Sequence, residues 1–259
     1  MPETALHATT AGGPGPRLVL AHGFTQTGQL WGGLTADLGA DHELVQVDLP
    51  GHGGSADVRA DLDGTAALLG EVGGRADYLG YSMGARVCLH LALARPDLVR
   101  RLVLVSGTAG IDDGHERASR RAADEELARR LDPGDGTEPE DTVAGFVDRW
   151  VANPLFGHVP GAANGVALRC TNGAAGLASS LRLVGTGTQV PLWDRLGELR
   201  MPVLIVTGGR DAKFDELGRR LVAGIGPSAR QVTVDDADHA PHLQRPAAVA
   251  SALRAFLDD

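Results

Sequence analysis

The chain has 259 residues, 43% of them apolar, enough to bury the core of one large α/β domain or a domain with an insertion. Its formal charge of -9 argues against general nucleic-acid binding, and no apolar stretch is long enough to span a membrane. Two cysteines, Cys88 and Cys170, imply no disulfide framework; Met1 to Gly15 lacks the basic segment and apolar run of a secretory signal, so a cytoplasmic protein is expected.

In chain order, short runs rich in Val and Leu predict buried parallel strands at Arg17–His22, Leu44–Asp48, Ala76–Gly80, Leu102–Ser106, Val203–Thr207 and Gln231–Val234. Helical patterns lie between several of them, at Leu62–Val72, Ala85–Arg95, Phe214–Ala223 and Ala247–Leu257; Pro96 stops the second. This alternation predicts an α/β fold with a mostly parallel, doubly wound sheet, whose ligands bind beyond the carboxyl ends of the strands. Between Gly107 and Met201 the alternation stops. Helices are predicted there at Glu116–Leu131, Thr142–Ala152, Gly161–Asn172 and Ala175–Val184, with linkers such as Asp132–Pro139 between them. Residues 1–107 and 201–259 therefore read as the core, and residues 108–200 as an inserted helical cap over the strand ends.

The chemistry centres on Gly80-Tyr81-Ser82-Met83-Gly84, which fits the Gly-x-Ser-x-Gly nucleophile elbow of α/β-hydrolases. A predicted strand precedes it and a predicted helix follows, so Ser82 sits on a sharp turn at a helix N-terminus that favours negative charge. A serine hydroxyl needs an adjacent histidine to act as nucleophile or base. Where this motif occurs, the order along the chain is Ser, acid, His. Asp211 follows the strand Val203–Thr207 and His239 follows Gln231–Val234, so both fall in loops at strand ends. Asp211 would orient the imidazole, the competing reading being a turn or helix-cap aspartate. His239 is preferred to His242 because it lies closer to its strand. Oxyanion donors are expected from the Met83 N–H and from Phe24 in His22-Gly23-Phe24-Thr25. His22 reads as a brace for that loop. Asp48-Leu49-Pro50-Gly51-His52-Gly53 reads as a shaped loop in which His52 has no assigned task. Cys88 reads as a small core residue.

The chain has 23 arginines and one lysine, Lys213. Arg86 lies one helical turn after Ser82 and should be partly buried; a substrate carboxylate and an internal salt bridge are equally open as its partner. Arg117, Arg120 and Arg121 share a helix face with Asp124 and Glu125 in reach, so a solvated charged face is the default there. Arg169 stands in the apolar run Val166-Ala167-Leu168-Arg169-Cys170, and Lys213 lies two residues past Asp211. Together they suggest an anionic, polycarboxylate small-molecule substrate. No metal-ligand cluster or dinucleotide fingerprint is found, so no metal or cofactor is expected.

From about His22 to Pro246 the chain resembles the 2-succinyl-6-hydroxy-2,4-cyclohexadiene-1-carboxylate synthases, pyruvate-eliminating lyases of menaquinone biosynthesis on an α/β-hydrolase fold. The features that carry this are the elbow followed by Arg86, Arg117 and Arg120 with Asp124, and Trp150 with Pro154-Leu155-Phe156. They extend to Leu168-Arg169 with Asn172, Gly185-Thr186-Gly187 with Gln189, and Asp211-Ala212-Lys213-Phe214. The resemblance implies a triad of Ser82, Asp211 and His239. It also implies that Arg86, Arg120 and Arg169 hold carboxylates and that Tyr81, Trp150 and Lys213 line the pocket, with Arg121 the alternative to Arg120. Gln244 departs from the glutamate that relatives often carry, at a position read as peripheral. An ordinary hydrolase of an ester or carbon–carbon bond in an anionic substrate is the competing reading, and a non-catalytic binding protein is the third.

Overall fold

The computed structural model describes residues 5–134, 136–157 and 159–258; residue 135 of the Asp132–Pro139 linker and the first four residues of the N-terminal stretch lie outside the described residues. The strands are β1 (Ala8–Gly12), β2 (Arg17–Ala21), β3 (Glu43–Val47), β4 (Ala76–Tyr81), β5 (Val99–Val105), β6 (Val203–Gly208) and β7 (Ala229–Val234). They form one sheet in the order β1-β3-β2-β4-β5-β6-β7. Every neighbouring pair is parallel except β1 with β3. Sequence reading misses β1, because Ala-Thr-Thr-Ala-Gly carries no large apolar side chain and stays half-exposed at the sheet edge.

The helices of the first half are α1 (Leu34–Leu38), α2 (Leu62–Gly73) and α3 (Met83–Ala94). At five residues, α1 is too short to show a helical period, and it too is missed. The insertion holds α4 (Gly114–Leu131), α5 (Val143–Val151), α6 (Gly161–Asn164), α7 (Val166–Arg169) and α8 (Ala174–Val184); α9 (Ala212–Ile225), α10 (Pro241–Gln244) and α11 (Pro246–Leu257) follow it. Side-chain alternation splits the strands between two cores. Val19, Val45, Tyr78, Leu104 and Ile205 pack with residues of α2 and α3 on one face. Leu18, Leu44, Tyr81, Val105 and Val206 pack with residues of α1 and α11 on the other.

The cap has its own small core: Ala128, Leu131, Phe146, Leu177, Ala178 and Leu181. The single helix predicted over Gly161–Asn172 is instead the pair α6 and α7. Gly165 separates them at φ 63°, where a Cβ would sit 2.2 Å from Leu30 Cδ1. Only glycine takes that left-handed turn while letting the cap backbone press onto the core. Leu192, Leu196 and Leu199, inside residues 108–200, pack into the sheet-side core rather than the cap core.

Candidate active site

β4 ends at Tyr81 and α3 starts at Met83, so Ser82 must turn the chain alone. It does so at φ 50° and ψ -102°. That conformation is strained for a non-glycine residue, by about 1–3 kcal/mol, and such strain collects where a side chain must be presented. The flanking glycines permit the tight turn. A Cβ on Gly80 would lie 2.3 Å from Gly84 O, and one on Gly84 would lie 1.9 Å from Ala21 O. The Ser82 N–H donates to Val105 O at 2.9 Å, which ties the turn to the neighbouring strand end.

Three loops at strand ends then converge. Ser82 Oγ is 3.0 Å from His239 Nε2, and His239 Nδ1 is 2.9 Å from Asp211 Oδ2. His239 is 2% exposed and Asp211 7%. Asp211 makes both contacts that its two readings call for: besides His239, its other oxygen accepts the Phe214 N–H and caps α9. The cap grips the histidine segment: the His239 N–H donates to Leu155 O, and the Phe156 ring packs beside the imidazole. Gln244 is not idle. Its amide oxygen accepts the Asp238 N–H, and its nitrogen donates to Asp238 Oδ2 and Phe156 O. His242 is fully buried against Tyr81 with both ring nitrogens unpartnered, and burial pulls its pKa down to about 3. It is therefore neutral, and with neither nitrogen bonded to Ser82 or Asp211 it stands outside the Ser82–His239–Asp211 chain.

The loop after β2 is braced from three sides. The His22 ring donates from Nδ1 to Gly23 O and accepts the Leu49 N–H at Nε2. His52 receives a task that its sequence did not reveal: its Nε2 accepts the Thr25 N–H while Nδ1 donates to Pro50 O. Burial lowers the pKa of His22 to about 4 and of His52 to about 3, so each keeps the neutral form that can donate at one nitrogen and accept at the other. Thr25, at φ 67°, is the junction. Its carbonyl accepts the Asn172 amide, and its hydroxyl accepts from Arg169. The N–H groups of Gly23 and Thr25 are thus taken, by Gln26 and His52. Between them Phe24 adjoins a small chamber of about 60 Å³ that Ser82 and Met83 also line. Met83 opens α3, where backbone N–H groups have no intrahelical partner.

The chamber opens beside a cleft of about 530 Å³ lined by Ser82, His239, Arg86, Arg120, Trp150 and Lys213 among others. Arg86 is 6% exposed and makes no ion pair among the described residues; one nitrogen donates to Val184 O and Nη1 is buried without a partner. The internal salt bridge that the sequence left open is not formed. Burial, and then the charge of Arg120, pull its pKa down to about 10. Arg120 faces this cleft, while Arg121 and Arg117 line a separate surface groove. Arg169 and Tyr81 do not line the cleft, which departs from what the resemblance implies. Tyr81 ends a strand and alternates onto the α1–α11 face, and Arg169 is 3% exposed, bonded to Asn164 O and Thr25. Among the described residues no group of three His, Cys, Asp or Glu side chains is arranged to hold a metal.

A strained serine at a strand–helix turn, a histidine and an aspartate from later strand ends, and a helical cap together define an α/β-hydrolase-type site. The model of the alpha/beta hydrolase family matches residues 18–252. Proteins named 2-succinyl-6-hydroxy-2,4-cyclohexadiene-1-carboxylate synthase are 32% identical: one from Escherichia coli O1:K1 / APEC over 97% of this chain and 98% of its own, another from Klebsiella pneumoniae subsp. pneumoniae over 96% and 97%. The solved structure of MenH from S. aureus superposes with a TM-score of 0.85 at 25% identity, covering 99% of this chain and 98% of that one. The chain belongs to the 2-succinyl-6-hydroxy-2,4-cyclohexadiene-1-carboxylate synthase family of α/β-hydrolases.

Proposed function

We propose that the chain is a carbon–oxygen lyase. It eliminates pyruvate from 2-succinyl-5-enolpyruvyl-6-hydroxy-3-cyclohexene-1-carboxylate to give 2-succinyl-6-hydroxy-2,4-cyclohexadiene-1-carboxylate in menaquinone biosynthesis. The observation that carries this is a hydrogen-bonded serine and histidine lining a cleft that also holds Arg86, almost fully buried and without an ion-pair partner among the described residues. A neutral-ester hydrolase has no use for such a cation, whereas a tricarboxylate has. In this reading Arg86, Arg120 and Lys213 supply the positive charge and Trp150 walls the ring. Arg169 and Tyr81 stand one layer back and brace the oxyanion loop.

Ser82 Oγ, its proton drawn to His239 Nε2, removes the ring proton at C2, alpha to the succinyl ketone. Charge develops on the ketone oxygen, where the Phe24 and Met83 N–H groups hold it. The electron pair moves through the C3–C4 double bond and breaks the C5–O bond. The enolpyruvyl group departs, takes the proton from His239 and ketonises to pyruvate. Asp211 stabilises the imidazolium in between. Such proton transfer from a positioned base contributes about 10²–10⁴ in rate. The test is pyruvate release from the enolpyruvyl substrate, compared with turnover of an uncharged aryl ester. Release with kcat/KM far above ester turnover is expected; ester turnover alone would leave only a hydrolase.

A further inference from the structure

Asp124 has no part in the relay, yet it is 2% exposed in the wall of the chamber beside Ser82. It stands on α4, and its Oδ1 accepts the Arg120 Nε–H at 2.9 Å. Its Oδ2 is buried and unpartnered. That oxygen looks onto the end of α8, since a Cβ on Gly185 would come within 2.6 Å of it. Arg86 reaches the same end through its bond to Val184 O. The chamber thus holds two guanidiniums and one carboxylate, a net charge of about +1.

We infer that Asp124 is a positioning residue: it holds Arg120 by the Nε edge, so that the two terminal nitrogens of that guanidinium are presented to a substrate carboxylate. Three physical points support this. A guanidinium has five donors in a rigid plane, so fixing one edge fixes the direction of the others. The Arg120 side chain is 42% exposed and the Asp124 side chain 4%, so the carboxylate is the anchored member and the arginine the movable one. Without the anchor, Arg86 and Arg120 would repel each other across the chamber, and Arg120, the more exposed, would swing to solvent; the charge of Arg120 already bears on Arg86. The inference rests on the proposed reaction, in which this chamber receives a carboxylate, and it names what orients the receiving group.

The test is a binding measurement that needs no turnover. The probe is 2-succinylbenzoate, the stable aromatic compound that loss of water from the proposed product gives; its uncharged diamide is the control. Kd is measured by calorimetry for the wild-type chain, Asp124→Asn, Arg120→Ala and the double variant, with thermal melts as the folding check. Asn keeps the shape and one acceptor oxygen but removes the carboxylate charge that strengthens the bond. Asp124→Asn is expected to raise the Kd of the probe about five- to tenfold, in the range for a charged hydrogen bond reduced by partial solvent exposure. In the Arg120→Ala background it should change the Kd less than twofold, within the error of additivity. The diamide should bind all four proteins alike. Asp124→Glu, which restores the charge, should recover part of the loss. An equal loss in both backgrounds would make Asp124 merely structural and overturn the inference. So would tighter probe binding by Asp124→Asn, the result expected if net charge rather than direction governed the chamber, or no binding by the wild type. Failure of the proposed reaction shows separately, as absence of pyruvate release.

Discussion

Replacing Arg86 with alanine is expected to cripple the tricarboxylate reaction and spare the ester. Arg86 is buried, donates to Val184 O at 2.7 Å, and keeps Nη1 unpartnered. Its pKa, pulled down to about 10, leaves it charged at pH 7. An unpaired buried cation is costly, by several kcal/mol even after relaxation. A substrate carboxylate that pairs with it recovers part of that cost. One charged hydrogen bond contributes roughly 1.5–3 kcal/mol, which corresponds to about one to two orders of magnitude in kcat/KM. Arg86→Ala strands Val184 O but also relieves the buried charge. These oppose each other, so the melting temperature should move little. Arg86→Lys keeps the charge without the planar fork and should fall between wild type and alanine.

The assay is kcat/KM for pyruvate release and for an uncharged aryl ester, with both variants and the wild type side by side. The tricarboxylate should lose one to two orders of magnitude and the ester less than a factor of about three, since no ester contact to the guanidinium is required. Equal losses on the two substrates would mean that Arg86 supports the elbow, for which its position one turn after Ser82 gives it opportunity. Unchanged tricarboxylate turnover would remove the main physical support for the lyase.

Ser82→Ala and His239→Ala should each lower kcat by orders of magnitude with folding intact, while His242→Phe should leave most activity; an inactive His242→Phe beside an active His239→Ala would reverse the base assignment. Arg169→Ala should harm tricarboxylate and ester alike, because it unties Thr25 next to the Phe24 N–H; a loss confined to the tricarboxylate would return Arg169 to the carboxylate ligands. Burial holds His22 at about 4, and His52 and His242 at about 3, against 6.5 for a free imidazole. The unfolded chain therefore binds more protons between those values and 6.5. Stability is full above pH 6.5 and falls as pH drops through this window, at about 1.4 kcal/mol per pH unit for each histidine. Urea unfolding at pH 7 and pH 5 reads this directly, and a flat profile would show that the rings are not buried neutral.

The parts legible in the sequence are those that obey local rules. Gly80 is demanded by a backbone clash with Gly84 inside the turn and Gly84 by the close approach of the β2 end at Ala21, and both fall within one five-residue motif. The stretches Leu102–Val105 of β5 and Val203–Val206 of β6 are continuous buried apolar runs, and an aspartate such as Asp211 just beyond one has few places to go. What was not legible depends on contacts far apart in the chain. Arg169 meets Thr25 across 144 residues and Asn172 meets it across 147, and no spacing rule links them. His52 was opaque because its partner, the Thr25 N–H, is a backbone group that leaves no mark on composition. Arg86 was half-legible: spacing put it beside Ser82, but only the packed structure shows that no internal carboxylate meets it.

Those long-range contacts also explain how one scaffold can serve a new reaction. The relay of Ser82, His239 and Asp211 belongs wholly to the sheet's strand ends and would suit hydrolysis as well as proton abstraction. Most of the distinguishing groups, Lys213 on α9 excepted, come from the cap or answer to it. Arg120 and Trp150 are cap residues in the cleft wall, and Arg86 is bonded to the last residue of α8. The cap also reaches back to the chemistry. Arg169 and Asn172 hold Thr25, next to Phe24, and Leu155 O holds the His239 backbone. A cap that shifted would therefore disturb Arg86 and Arg120, the Thr25 loop and His239, the groups proposed for carboxylate binding, oxyanion binding and proton transfer, together. Specificity and catalysis are thus mechanically tied, so a cap graft from an ester hydrolase should cost proton abstraction as well as substrate choice.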